Sequence, residues 1–112
     1  MSPITTHILD TSKGMPAKGV TVVLYQQEDK NWKEIGKGTT NDDGRVTDLL
    51  PGATEISFGT YKLQFDTKSY FEAASLQAFY PLVEIVFEVS DRRHHHVPLL
   101  LNPYGYSTYR GS

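Results

Sequence analysis

The sequence contains no cysteine. That excludes a disulfide scaffold, a thiol nucleophile, a thiolate zinc site and an iron–sulfur centre. It also lacks a surplus of either charge: 11 basic residues stand against 13 acidic ones, a formal net charge of −2. A chain with no global basic field has no default affinity for nucleic acid or an acidic membrane surface, so no partner of either kind is expected. No apolar run approaches the roughly 18 residues of a membrane span. Internal repeats, low-complexity tracts and linkers are missing as well. The start, Met1-Ser2-Pro3-Ile4-Thr5-Thr6-His7, has neither the basic nor the apolar region of a secretory signal, and the end is not a peroxisomal Ser-Lys-Leu; the expected location is cytoplasmic. The Gly-rich phosphate loop, Gly-x-Ser-x-Gly and His-Glu-x-x-His are absent too.

What remains is 112 residues with a hydrophobic fraction of 38%, enough for one packed core, and a single domain spanning 1–112 is expected. Two cores would not fit, so a large binding cavity would need a second chain. Regular punctuation divides the chain: Gly14, Pro16 and Gly19, then Asn41-Asp42-Asp43-Gly44, Pro51-Gly52 and Asn102-Pro103-Tyr104-Gly105. Asp-Gly tolerates the positive φ of a tight turn. The intervening segments read as strands. In 61–66, Tyr61, Leu63 and Phe65 share a face; Val83, Ile85, Phe87 and Val89 form a second stripe. The run 20–25 is apolar and β-branched, which predicts burial on both faces. Further strands are expected over 4–10, 31–37, 97–101 and 104–110, with Pro98 assigning its strand an edge position or a bulge. One short helix is expected, with Ser69 as N-cap and Glu72 at N3 of a capping box. Seven or eight short strands and one helix predict an all-β, two-sheet antiparallel sandwich.

Few residues carry chemistry. The period of two puts His7 on the face of the first strand opposite Ile4, Thr6 and Ile8. In His94-His95-His96, the outer two share a face and His95 takes the other. Two readings stay open: His7, His94 and His96 gripping a zinc ion with an open position for water, or a metal-free histidine acting as general base. Arg45, next to the Asp-Gly turn, would matter if the fold brought it near a histidine, because its planar fork binds anionic or carbonyl groups. The tail from Tyr104 to Ser112 keeps aromatic residues unusually near the chain end; it is either a packed last strand or a segment that folds into a site.

Three stretches resemble a known family: Thr5-Thr6-His7-Ile8-Leu9-Asp10-Thr11, Asn41-Asp42-Asp43-Gly44-Arg45, and the run from His96-Val97-Pro98 to the terminal Tyr109-Arg110-Gly111-Ser112. They are similar to the 5-hydroxyisourate hydrolases among the transthyretin-related proteins, and the resemblance covers essentially the whole chain. It implies a transthyretin-like sandwich of eight strands with one helix, assembled as a homotetramer with active sites in clefts between dimers. It implies hydrolysis of 5-hydroxyisourate, the unstable product of urate oxidation, with no cofactor or metal. The family's catalytic histidines fall on His7 and His96 and its arginine on Arg45; Tyr109 and Ser112 fall on substrate-contacting positions. One departure is visible. His95 stands where the family usually has an aromatic residue, and it is expected to point away from His96. A carrier of small molecules on the same fold, without catalysis, is the alternative from another class.

Overall fold

The computed structural model describes residues 2–112. Strands form where apolar and polar residues alternate, and they are β1 (Ile4–Asp10), β2 (Met15–Pro16), β3 (Thr21–Glu28), β4 (Asn31–Thr39), β5 (Arg45–Val46), β6 (Gly59–Phe65), β7 (Val83–Val89), β8 (His95–Asn102) and β9 (Gly105–Thr108). One sheet runs β2-β1-β8-β9, with β5 also paired to β1; the other runs β4-β3-β6-β7. Their inner faces meet in a core that includes Ile4, Ile8, Leu24, Leu63, Phe65 and Leu99. This is the expected two-sheet sandwich. All pairings are antiparallel except β1 with β8, which run parallel.

Three local expectations give way. The apolar run in β3 is not buried on both faces: Val22 and Leu24 are fully buried, while Val23 and Tyr25 are only half-buried on the outer face. A sheet packed on one side leaves its other face to solvent and long side chains; here Lys62 lies over the Tyr25 ring. The helix, α1 (Thr67–Ala73), is capped by Asp66 and not Ser69; the Asp66 carboxylate accepts from the Ser69 N–H. Asp caps as well as Ser. The earlier start lets the chain turn directly from β6 into a helix that drives Phe71 into the core.

Pro98 is not on an edge strand, since β8 lies between β1 and β9. Thr108 Oγ1 donates to the Pro98 carbonyl at 2.7 Å. N and O of one strand residue point to the same side, so the N–H that proline lacks would also face β9. The β8–β9 ladder stops at Leu99–Thr108 and resumes, in the same register, only at the bridge between His96 and Gly111. The missing donor thus falls in a gap of the ladder, and the tail passes Pro98 without pairing.

His95 points into the protein, 4% exposed, and neither ring nitrogen has a hydrogen-bond partner among the described residues. The nearest carboxylate oxygen, on Asp91, is 3.8 Å from Nε2. Burial, reinforced by the Arg110 charge, pulls the His95 pKa below the ordinary 6.5. A buried polar group without a partner is destabilising. His95→Phe should therefore raise the unfolding free energy by about 1 kcal/mol at neutral pH. The pH dependence has a definite sign. The unfolded chain protonates His95 near 6.5 while the folded chain resists, so stability is full above that value and is lost as pH falls below it. Urea titrations between pH 7 and 5 should show a flatter profile for His95→Phe than for wild type. Identical profiles would mean that His95 is solvated or paired in solution.

Candidate active site

The parallel β1–β8 register and the β1–β5 pairing build one cleft on the outer face of the sheet. His7 lies directly opposite Arg45, and Thr5 opposite His96. Residues opposite each other in a sheet project on the same side, so the first motif, the turn motif and the histidine run converge. The cleft has a volume of about 430 Å3, and Tyr109 and Ser112 of the tail also line it.

Local structure aims each group. The Asn41–Gly44 turn closes with the Gly44 N–H donating to the Asn41 carbonyl at 2.9 Å, and Asn41 Oδ1 accepts from the Arg45 N–H at 3.0 Å. Gly44 has φ +72°, and a Cβ there would lie 2.5 Å from the Ile8 carbonyl oxygen, so only glycine lets the turn lie against β1. The His7 and His96 rings face each other with centroids 6.3 Å apart and planes 26° from parallel. Thr5 Oγ1 lies 2.7 Å from His96 Nδ1 and 2.9 Å from His94 Nε2.

Both cleft histidines are biased towards the neutral form. Burial and then the Arg45 guanidinium lower the His7 pKa, partly opposed by Asp43. Burial lowers that of His96, with Arg45, His7 and His94 adding to the effect. Neutral imidazole beside a fixed cation is a proton acceptor next to an anion- and carbonyl-binding group. For the zinc reading, His94 Nε2 and His96 Nδ1 both face the Thr5 hydroxyl, and among the described residues no three His, Asp or Glu side chains are grouped to hold a metal ion.

The tail is anchored at two successive residues, Arg110 and Gly111. Arg110 donates to both Asp91 oxygens, at 2.9 and 3.1 Å, and Arg110, with Arg93, holds the Asp91 carboxyl well below the usual carboxylate range. The Gly111 N–H donates to the His96 carbonyl at 2.8 Å. A Cβ at Gly111 would come within 2.6 Å of His96 Cδ2, so the tail backbone lies directly against the imidazole. Gly111→Ala must displace that ring, and a small misplacement of a reacting group is costly: kcat/KM should fall by about 10- to 100-fold with little change in melting temperature. Full activity in this variant would mean that the tail, not the ring, yields.

The structure thus gathers His7, Arg45, His94, His96, Tyr109 and Ser112 in one place. Thr5 and Gly111, not expected from the sequence, also line it, and Asp91 holds the tail beside it. The period of two does set Thr5 on the face of His7, whereas nothing local marks Asp91 as the tail's anchor.

Residues 4–111 match the model of a family described as the HIUase/Transthyretin family. The chain is 48% identical, over 97% of its length and 81% of the other protein, to a probable 5-hydroxyisourate hydrolase of Caenorhabditis elegans. Among solved structures it is similar to 5-hydroxyisourate hydrolase of Klebsiella pneumoniae, with a TM-score of 0.86, 37% identity and 97% and 98% of the two chains covered. It is also similar to sea bream transthyretin in complex with thyroxine, with a TM-score of 0.91, 32% identity and 98% and 95% covered.

Proposed function

The chain belongs to the HIUase/Transthyretin family, and from that premise and the cleft we propose that it is a 5-hydroxyisourate hydrolase acting in urate degradation. The observation that carries this reading is the convergence of His7, Arg45 and His96, from three separate strands, in a cleft bordered by the tail. A water molecule between the two histidines gives a proton to one neutral imidazole as its oxygen bonds to a ring carbonyl carbon of the substrate. Arg45 orients the substrate and offsets the negative charge that develops on the carbonyl oxygen. The carbon–nitrogen bond of the six-membered ring then breaks, the leaving nitrogen takes the proton back from the imidazolium, and 2-oxo-4-hydroxy-4-carboxy-5-ureidoimidazoline results. Tyr109 and Ser112 contact the substrate from the tail. No metal enters these steps; elemental analysis finding stoichiometric zinc, with activity lost to a chelator, would favour the alternative built on His7, His94 and His96.

The assembly is a homotetramer with clefts between dimers. Exposed aromatic and aliphatic residues along one flank support this, among them Val86 on β7, Tyr106 on β9 and Tyr109, which are 57%, 42% and 59% exposed. The close fit to a thyroxine-binding transthyretin favours one other reading, a small-molecule carrier. A carrier has no need for two histidines, an arginine and the Tyr-Arg-Gly-Ser tail together. The decisive experiment generates 5-hydroxyisourate with urate oxidase and follows its ultraviolet absorbance with and without this protein. Accelerated decay is expected; decay at the uncatalysed rate would overturn the hydrolase and leave the carrier.

A further inference from the structure

We infer that Thr5 and His94 select the tautomer of His96, keeping its proton on Nδ1 so that Nε2 is left bare. The consequence for catalysis rests on the hydrolase reading; the geometry does not. The Thr5 side chain is buried, 3% exposed, and its hydroxyl stands between two imidazoles, at 2.7 Å from His96 Nδ1 and 2.9 Å from His94 Nε2. A hydroxyl has one proton to give and lone pairs to accept with. It cannot donate to both rings, so at least one of the two nitrogens carries a proton. If both did, the hydroxyl proton would be left without an acceptor, since Thr5 Oγ1 has no other partner among the described residues. The satisfied arrangement has one ring donating to Thr5 and the other accepting from it.

The field of the cleft decides which. A neutral imidazole is a dipole, positive at its N–H and negative at its bare nitrogen. Arg45 and His7 stand near the His96 ring, and the arginine carries a permanent positive charge. Nδ1 is engaged by Thr5, so Nε2 is the nitrogen left for the cleft that Arg45 and His7 also line, and a fixed positive charge there favours a lone pair over an N–H. His96 therefore donates from Nδ1 to Thr5, and Thr5 donates to His94 Nε2. Nε2 of His96, which has no protein partner among the described residues, keeps the lone pair a general base requires. His94 is exposed, so its own Nδ1 proton is solvated at no cost to the core. Thr5 and His94 are positioning residues: they act through His96 and set which of its nitrogens can accept a proton.

The test is nitrogen-15 NMR of histidine-labelled protein, combined with kinetics on 5-hydroxyisourate. The wild-type His96 ring should show a protonated Nδ1 and a bare Nε2. Thr5→Val, which keeps the shape and removes the hydroxyl, should move the proton towards Nε2 and lower kcat by about tenfold or more, with KM little changed. Thr5→Ser should restore both readouts. His94→Phe, at an exposed position, frees the Thr5 proton to turn to His96 and should shift the tautomer in the same direction, which covers a Thr5→Val protein that fails to fold. A wild-type spectrum with the proton on His96 Nε2, or variants with unchanged tautomer and kcat, would overturn the assignment. The spectra need no substrate, so a protein with the expected tautomer but no turnover would fail as a hydrolase and keep this arrangement.

Discussion

His96→Ala is expected to lower kcat/KM for 5-hydroxyisourate by about 10²- to 10⁴-fold while the protein stays folded and assembled. In the proposed mechanism the attacking water lies between the His96 and His7 rings and gives its proton to an imidazole, so loss of either ring should be costly. Removing the His96 ring leaves the core untouched, because His96 lies on the outer face of β8, half-buried, and touches mainly Thr5 and the tail. His7→Ala and Arg45→Ala should each produce losses of similar order. The exposed Arg45 side chain takes no part in closing its turn, which is held through its N–H and Asn41. The pH profile adds a check on the same groups. Both histidines titrate below the ordinary 6.5, through burial and the Arg45 charge. The acceptor form therefore predominates above that value, and the acid limb of kcat/KM should have its midpoint below it. In Arg45→Gln the residual activity should show that limb moved upward. A folded His96→Ala protein with near-normal turnover would remove His96 from the mechanism.

Phe65→Ala should have the opposite profile, a large loss of stability with little effect on the chemistry of each folded molecule. Phe65 is fully buried at the end of β6, paired with Val22 on one side and Val83 on the other. It belongs to the sheet that contributes neither histidine nor arginine to the cleft. Truncating a buried phenylalanine leaves a cavity and costs about 3–5 kcal/mol, a large part of the roughly 5–15 kcal/mol that keeps a domain folded. Urea unfolding at one fixed protein concentration measures it, since assembly makes apparent stability depend on concentration. A loss under about 1 kcal/mol would mean that the core collapses around the vacancy.

Much of this molecule can be read along the chain because the relevant physics is local. Alternation sorts Tyr61, Leu63 and Phe65 from their neighbours, and it places His7 and His96 on outward faces, because successive side chains of a strand point to opposite sides. Asp43-Gly44 announces its turn because few other pairs tolerate a positive φ. The helix starts three residues before the position that the capping-box pattern marks, because two residues able to cap, Asp66 and Ser69, stand about one turn apart and the local pattern does not rank them. Pro98 departs from its expected edge position for a related reason: the gap that accommodates the proline lies in the path of the tail, and no local pattern describes that path.

Periodicity, turn propensity and the resemblance of three motifs to a family thus specify the sandwich, its longer strands and the short set of residues able to carry chemistry, but not the two-residue strands β2 and β5. Which of those residues meet depends on pairing between segments far apart in the chain. The parallel pairing of β1 with β8 joins segments about 90 residues apart, setting Thr5 against His96, and β5 sets Arg45 against His7. Asp91 fastens the tail beside them. Long-range register is settled by the packing of a whole core, and no single segment of the chain holds that information.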